Sequence, residues 1–187
     1  YVASAVSDRY ELDGTWVSSS YTRNLVDAFG TAFYRHSQTS EVNGGLNPGA
    51  MHWERVSAAS VMNDTANWCI GRVGTTQVTR GHSLPGGGEV TRTSSRTVDP
   101  VSCRTTQEIV EPGSADLQVT TDISYDAFGN LAYRTSNAAA QALRMTRYSW
   151  LSCGRYLQSV TNAEGHRSSM TWDPVQAVRT SATDPNG

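Results

Sequence analysis

The sequence predicts an all-β protein, an antiparallel meander of hairpin repeats forming part of an extended or spiralling sheet. Three observations carry this. Gly, Ser, Thr and Asn crowd the 187 residues while helix formers are thin, and only SNAAAQALRM (136–145) has the composition for two or three helical turns. Several stretches alternate with the period of two that half-buried strands require. Turn signals recur through the C-terminal half at the spacing of short antiparallel strands.

Taken in order, residues 1–20 carry no motif and read as an edge or linker segment. Residues 21–110 read as strands interrupted by two loose insertions, NGGLNPGA at 43–50 and a Pro/Gly-rich loop at 81–88. TQVTRG (76–81) and EVTRTS (89–94) flank the second insertion and share VTR, the pattern of a hairpin with a long connection. Residues 111–187 are the regular region. LQVTTDISY (117–125) puts Leu117, Val119, Thr121, Ile123 and Tyr125 on one face and polar residues on the other.

The frame aromatic-Asp-x-x-Gly-x organises that region. YDAFGN (125–130) fits it fully, with Tyr125, Asp126 and Gly129. Trp150 and Gly154 fit it in WLSCGR, where Leu151 replaces Asp, and Trp172 and Asp173 in WDPVQA, where Gln176 replaces Gly. VDAFGT (26–31) repeats it upstream with Asp27 and Gly30 behind Val26, and DAFGTAFYR and DAFGNLAYR agree at six of nine positions. A second series, TNAEG ending at Gly165 and TDPNG with Asp184 and Gly187, is offset from the first by about half a repeat. In such turns Asp ties down a backbone N–H two residues on, Gly supplies a positive φ, and the aromatic closes a strand. A unit of two strands cannot bury its own face, so units must stack.

Composition narrows the function. A formal net charge of −2 and a pI near 6.1 give no footprint for nucleic acid, and no stretch is apolar enough for a membrane span. All 15 basic residues are Arg. The chain opens within a strand-like pattern and reads as a piece of a longer protein. No cofactor motif is present: there is no G-x-S-x-G, and LPGGG lacks the Lys-Ser/Thr and helix of a phosphate loop. The four histidines are far from one another and from any Cys in sequence, so no metal site is expected. The turn Asp and Asn residues are too few per loop for calcium. Asp27 and Asp126 as paired catalytic carboxylates would have to face each other across a cleft, whereas turn residues satisfy their own loops. Cys69 and Cys103 are candidates for a bridge, with Cys153 left over, although three buried free thiols would also fit. The five tryptophans are either repeat wall or an exposed platform for sugars.

The series YDAFGN, GRYLQSVTNAEGHRSSMTWDP and VRTSATDPNG resembles the YD-repeat, or RHS, proteins of bacteria, relatives of insecticidal toxin-complex shells and of teneurins. The resemblance covers 117–187 most fully and 21–110 through VDAFGTAFYR and NWCIGR. It implies a long sheet ribbon spiralling into a shell, not itself an enzyme, in a secreted or cell-surface bacterial protein. Activity in that family lies in a C-terminal toxin tip, often released by aspartyl self-cleavage. TDPNG superficially matches the cleavage core, but it also fits the ordinary repeat turn and has no second acidic partner nearby. The partners implied are neighbouring repeats or identical subunits through sheet edges and an enclosed toxin cargo. The alternative reading is a carbohydrate- or receptor-binding adhesin that uses exposed aromatics, with glycans among its partners.

Overall fold

The computed structural model describes residues 2–41, 51–83 and 86–186. The insertion at 43–50, part of that at 81–88, and Gly187 therefore lie outside the described residues. The chain divides into two compact units, Tyr1–Arg104 and Thr105–Gly187. All pairings within each unit are antiparallel between strands consecutive in sequence, the sheets are open rather than closed into barrels, and no helix occurs among the described residues.

The first unit holds β1 (Val2–Tyr10), β2 (Trp16–Val26), β3 (Ala32–Glu41), β4 (Met51–Asp64), β5 (Cys69–His82) and β6 (Val90–Val98). Residues 2–20, without a motif in sequence, make the first hairpin. Glu11 N–H bonds the carbonyl of Thr15, and Asp13 Oδ1 accepts the Thr15 N–H at 2.8 Å. The two VTR stretches pair as β5 and β6, with Thr79 opposite Thr91 and their hydroxyls 2.9 Å apart.

The second unit holds β7 (Thr105–Val110), β8 (Val119–Tyr125), β9 (Leu131–Ala138), β10 (Arg144–Trp150), β11 (Leu157–Thr161), β12 (Arg167–Asp173) and β13 (Val178–Thr183). β8 buries Thr121 and exposes Asp122 but leaves its other residues half-buried on both faces, and Leu117 precedes the strand and is exposed. The helical expectation for 136–145 is wrong. Ser136, Asn137 and Ala138 continue β9 opposite Thr121, Thr120 and Val119, a turn follows, and Arg144 opens β10. A ladder of backbone bonds and the Thr121–Ser136 hydroxyl pair at 3.1 Å outweigh the few tenths of a kcal/mol per residue that alanine offers a helix.

A chain of this length can bury a sizeable core. Here each unit is one sheet layer, and among the described residues only Cys69, Tyr156, Thr121 and Ser159 are buried. The strands are held by ladders and cross-strand pairs, leaving both faces of each sheet half open.

Candidate functional site

The repeat turns are the most built feature of the chain. Asp27, Asp126 and Asn162 share one geometry. The N–H of each donates to the carbonyl four residues on, at 2.9–3.0 Å, and its carbonyl accepts from the glycine three residues on. Its side-chain Oδ1 accepts the N–H groups two and four residues on, at 2.8–3.0 Å. Gly30, Gly129 and Gly165 take the left-handed conformation that this three-residue loop needs. Both turn series seen in sequence therefore fold alike. They sit at opposite ends of the strands, since one follows β8 and the other β11.

The departures from the frame have physical consequences. Behind Asp173 the left-handed residue is Ala177 (φ +56), not Gln176, because the loop is one residue longer and Asp173 pairs with Val178. Asp64 and Asp99 open the same longer loop, with Trp68 and Cys103 at positive φ. At Leu151 the side-chain bonds of Asp are lost, and the loop closes from Leu151 N–H to the Tyr156 carbonyl at 2.9 Å. Asp184 keeps its bond to the Asn186 N–H at 2.7 Å.

The aromatic residue of the frame has a job that its position alone did not disclose. Tyr125, Trp150 and Trp172 each follow a register shift at the end of β8, β10 and β12. The Tyr125 hydroxyl donates to the Thr105 carbonyl at 2.9 Å, the Trp150 indole to Leu131 at 2.9 Å, and the Trp172 indole to Leu157 at 2.7 Å. Those carbonyls lie two residues beyond the last paired residues of their strands, Gln107, Tyr133 and Ser159. A side-chain donor thus extends each ladder where backbone pairing has stopped. Leu131 is also the pair of Tyr125, and Leu157 the pair of Trp150, so the contacts link one repeat to the next. Trp172 further stacks on Tyr156, with ring centroids 5.2 Å apart. Trp150→Phe keeps a ring but orphans the Leu131 carbonyl. We expect a loss of about 1–2 kcal/mol in urea denaturation.

Each DAFG turn also docks on a later turn of its own unit. Asn130 Nδ2 donates to the Gly154 carbonyl at 2.6 Å, and the Phe128 ring lies over Gly154. In the first unit Asn63 Nδ2 donates to Asp27 Oδ2 at 2.8 Å, Asn63 Oδ1 accepts the Gly71 N–H at 2.8 Å, and Thr31 lies over Gly71. A disulfide makes the next link, joining Cys69 to Cys103 with Cα atoms 5.4 Å apart, while Cys153 is free and exposed.

These bonds tie the turn carboxylates to their own loops. The Asn63 side chain, together with the Thr31 and Phe29 N–H groups, holds the Asp27 carboxyl below its ordinary value of 3.8. The same direction holds at Asp13, Asp64 and Asp99, caused chiefly by the Thr15 N–H, the Asn67 side chain and the Ser102 N–H. A depressed carboxyl contributes stability above its unfolded pKa and loses it as pH falls through the folded one. Asp27→Asn keeps the Oδ1 acceptor but sets a donor against Asn63. The variant should melt below the parent at pH 7, with the gap closing below about pH 4, as thermal melts across pH will show.

Among the described residues no group of three or more His, Cys, Asp or Glu is placed to hold a metal ion. Two histidines distant in sequence, His52 and His82, are nevertheless cross-strand partners with ring centroids 6.0 Å apart. They line a groove of about 580 Å³ with Ser37, Thr39, Glu54 and Arg80, and Arg80 pairs with Glu54 at 2.5 Å. Of the tryptophans outside the repeat position, Trp68 is exposed in its turn, Trp16 opens β2, and Trp53 packs on Gly81.

No protein-family model matches the chain, and no curated protein matches it. Among solved structures it is similar to a chain of the "Crystal Structure of TcdB2-TccC3-TEV", at 12% identity and a TM-score of 0.36. That alignment covers 96% of this chain and 12% of the other, so the chain spans about an eighth of that protein's length.

Proposed function

We propose that the chain is a non-enzymatic YD-repeat scaffold, a segment of a large exported bacterial protein of the RHS type. Its sheet forms part of a shell or elongated surface structure that encloses or presents a toxin cargo. The observation that carries this reading is the common placement of Tyr125, Trp150 and Trp172, each reaching back to a carbonyl of the preceding strand two residues beyond the last pair between the two strands. Such a device propagates a sheet strand by strand and contributes nothing to a reaction. The thin burial supports the same role, because a single layer with half-open faces suits a wall. The disulfide supports export, since such bonds persist in oxidising compartments. Outer strands β1 and β13 are almost wholly exposed and offer edges to adjoining repeats or subunits.

Cryo-electron microscopy of the full-length gene product tests the proposal. The expected result is this segment as one band of a continuous wall, with β1 and β13 paired to flanking strands. A free-standing module with both edges unpaired would overturn it.

A further inference from the structure

The β4–β5 ladder ends on a pair of histidines. His52 lies directly opposite His82, and just past them the Ser83 N–H donates to the Met51 carbonyl at 2.9 Å. Directly opposed side chains leave the same face of a sheet, with Cβ atoms about 4.5–5.5 Å apart. Thr39 continues this row across β3, and the next row on the same face is Ser37, Glu54 and Arg80.

Neither imidazole has a hydrogen bond or ion pair to any described residue. His82 Nδ1 is buried without a partner, one of only four such side-chain atoms among the described residues. Buried polar atoms are nearly always satisfied, so this ring calls for a partner that the sheet does not supply. His52 is exposed and His82 half-buried, and both line the groove of about 580 Å³. The carboxylates along that groove are engaged, Glu54 by Arg80 and Glu89 by Arg55. An anion would find only Arg80, already paired. What the groove does offer is imidazole nitrogen, a ligand suited to the late first-row metals.

We infer that His52 and His82 together chelate a late first-row divalent cation, copper(II) most tightly. Two imidazoles on one cation, with metal–nitrogen distances of about 2.0–2.1 Å, hold their ring centres about 4.5–6 Å apart. The 6.0 Å between these rings is at the wide end of that range, so a small rotation of the exposed His52 ring suffices. Water fills the remaining positions around the cation, and the Ser37 and Thr39 hydroxyls line the groove to hydrogen-bond it. The cation closes the hairpin at its open end, where β4 begins after one insertion and β5 leads into the other. The site needs only β3–β5, whatever the wider sheet encloses.

Isothermal titration of the full chain with copper(II), zinc(II) and magnesium(II) is the test, in a Cys153→Ser background that removes the exposed thiol. Copper(II) should bind one per chain, about tenfold or more tighter than zinc(II), and magnesium(II) should not bind. The electron paramagnetic resonance spectrum of the bound copper(II) should be split by two nitrogens. His52→Phe keeps a ring against His82 but no donor. It should weaken copper(II) binding by about tenfold or more, because the second imidazole acts at a high effective concentration. Its metal-free melting temperature should match the parent's, and copper(II) should raise the melting temperature of the parent alone. His166→Ala, in the other unit, should bind as the parent does. Absence of copper(II) binding, a spectrum with one nitrogen or none, unchanged affinity in His52→Phe, or weakened affinity in His166→Ala would each overturn the inference.

Discussion

Gly154→Ala should destabilise the second unit by about 3 kcal/mol, with two separable causes. Gly154 has a φ of +66, where an L side chain costs about 1 kcal/mol, and a Cβ there would overlap the Phe128 ring. The ring cannot retreat freely, because the turn that carries it is tied to the same glycine through Asn130. Phe128 is itself 62% exposed, so Phe128→Ala alone should cost under about 1 kcal/mol. The double variant removes the overlap and leaves the backbone strain. Urea denaturation of the four proteins should therefore give a coupling of about 2 kcal/mol in favour of the double variant. Simple additivity would show that the two turns do not press on each other. Gly71→Ala should cost less than Gly154→Ala, since its Cβ would meet the Thr31 hydroxyl, which can rotate, rather than a ring.

This docking explains both what the sequence disclosed and what it hid. The DAFG turns were legible because their chemistry is local: Asp126 bonds its own loop, and Gly129 sits within it. Asn162 performs the same task in the second series, which is why both series could be read as turns. The target of each aromatic was not legible, because the Trp150–Leu131 bond depends on a register shift between Ser149 and Trp150. Counting residues cannot reveal such a shift. The same limit hid the His52–His82 pair, which exists only once β4 and β5 are in register. The Asp173 loop was misjudged by one residue because Ala177 accepts a conformation usually left to glycine. The stretch 136–145 was misread as helical because alanine propensity is a weak prior against a paired strand.

Reduction of the Cys69–Cys103 bond should be the largest single loss in the first unit. The bond closes a loop spanning 34 residues of sequence, and confining a loop of that size in the unfolded chain is worth about 4 kcal/mol. Few other restraints can replace it. Cys69 is fully buried where almost nothing else is, and Cys103 anchors the Asp99 loop at a positive φ of +57. The bond therefore joins two longer Asp loops that lack the glycine of the shorter ones, where the turns need outside support most. Denaturation should be compared with and without a phosphine reductant in a Cys153→Ser background, which removes the exposed thiol able to exchange. The reduced protein should unfold at markedly lower urea while the Trp150 and Trp172 environment changes little. That asymmetry is the decisive readout, because both tryptophans lie in Thr105–Gly187 and the bond lies wholly within Tyr1–Arg104. Equal loss in both units would show that they unfold as one cooperative body. No loss at all would show that the sheet ladders alone hold the first unit.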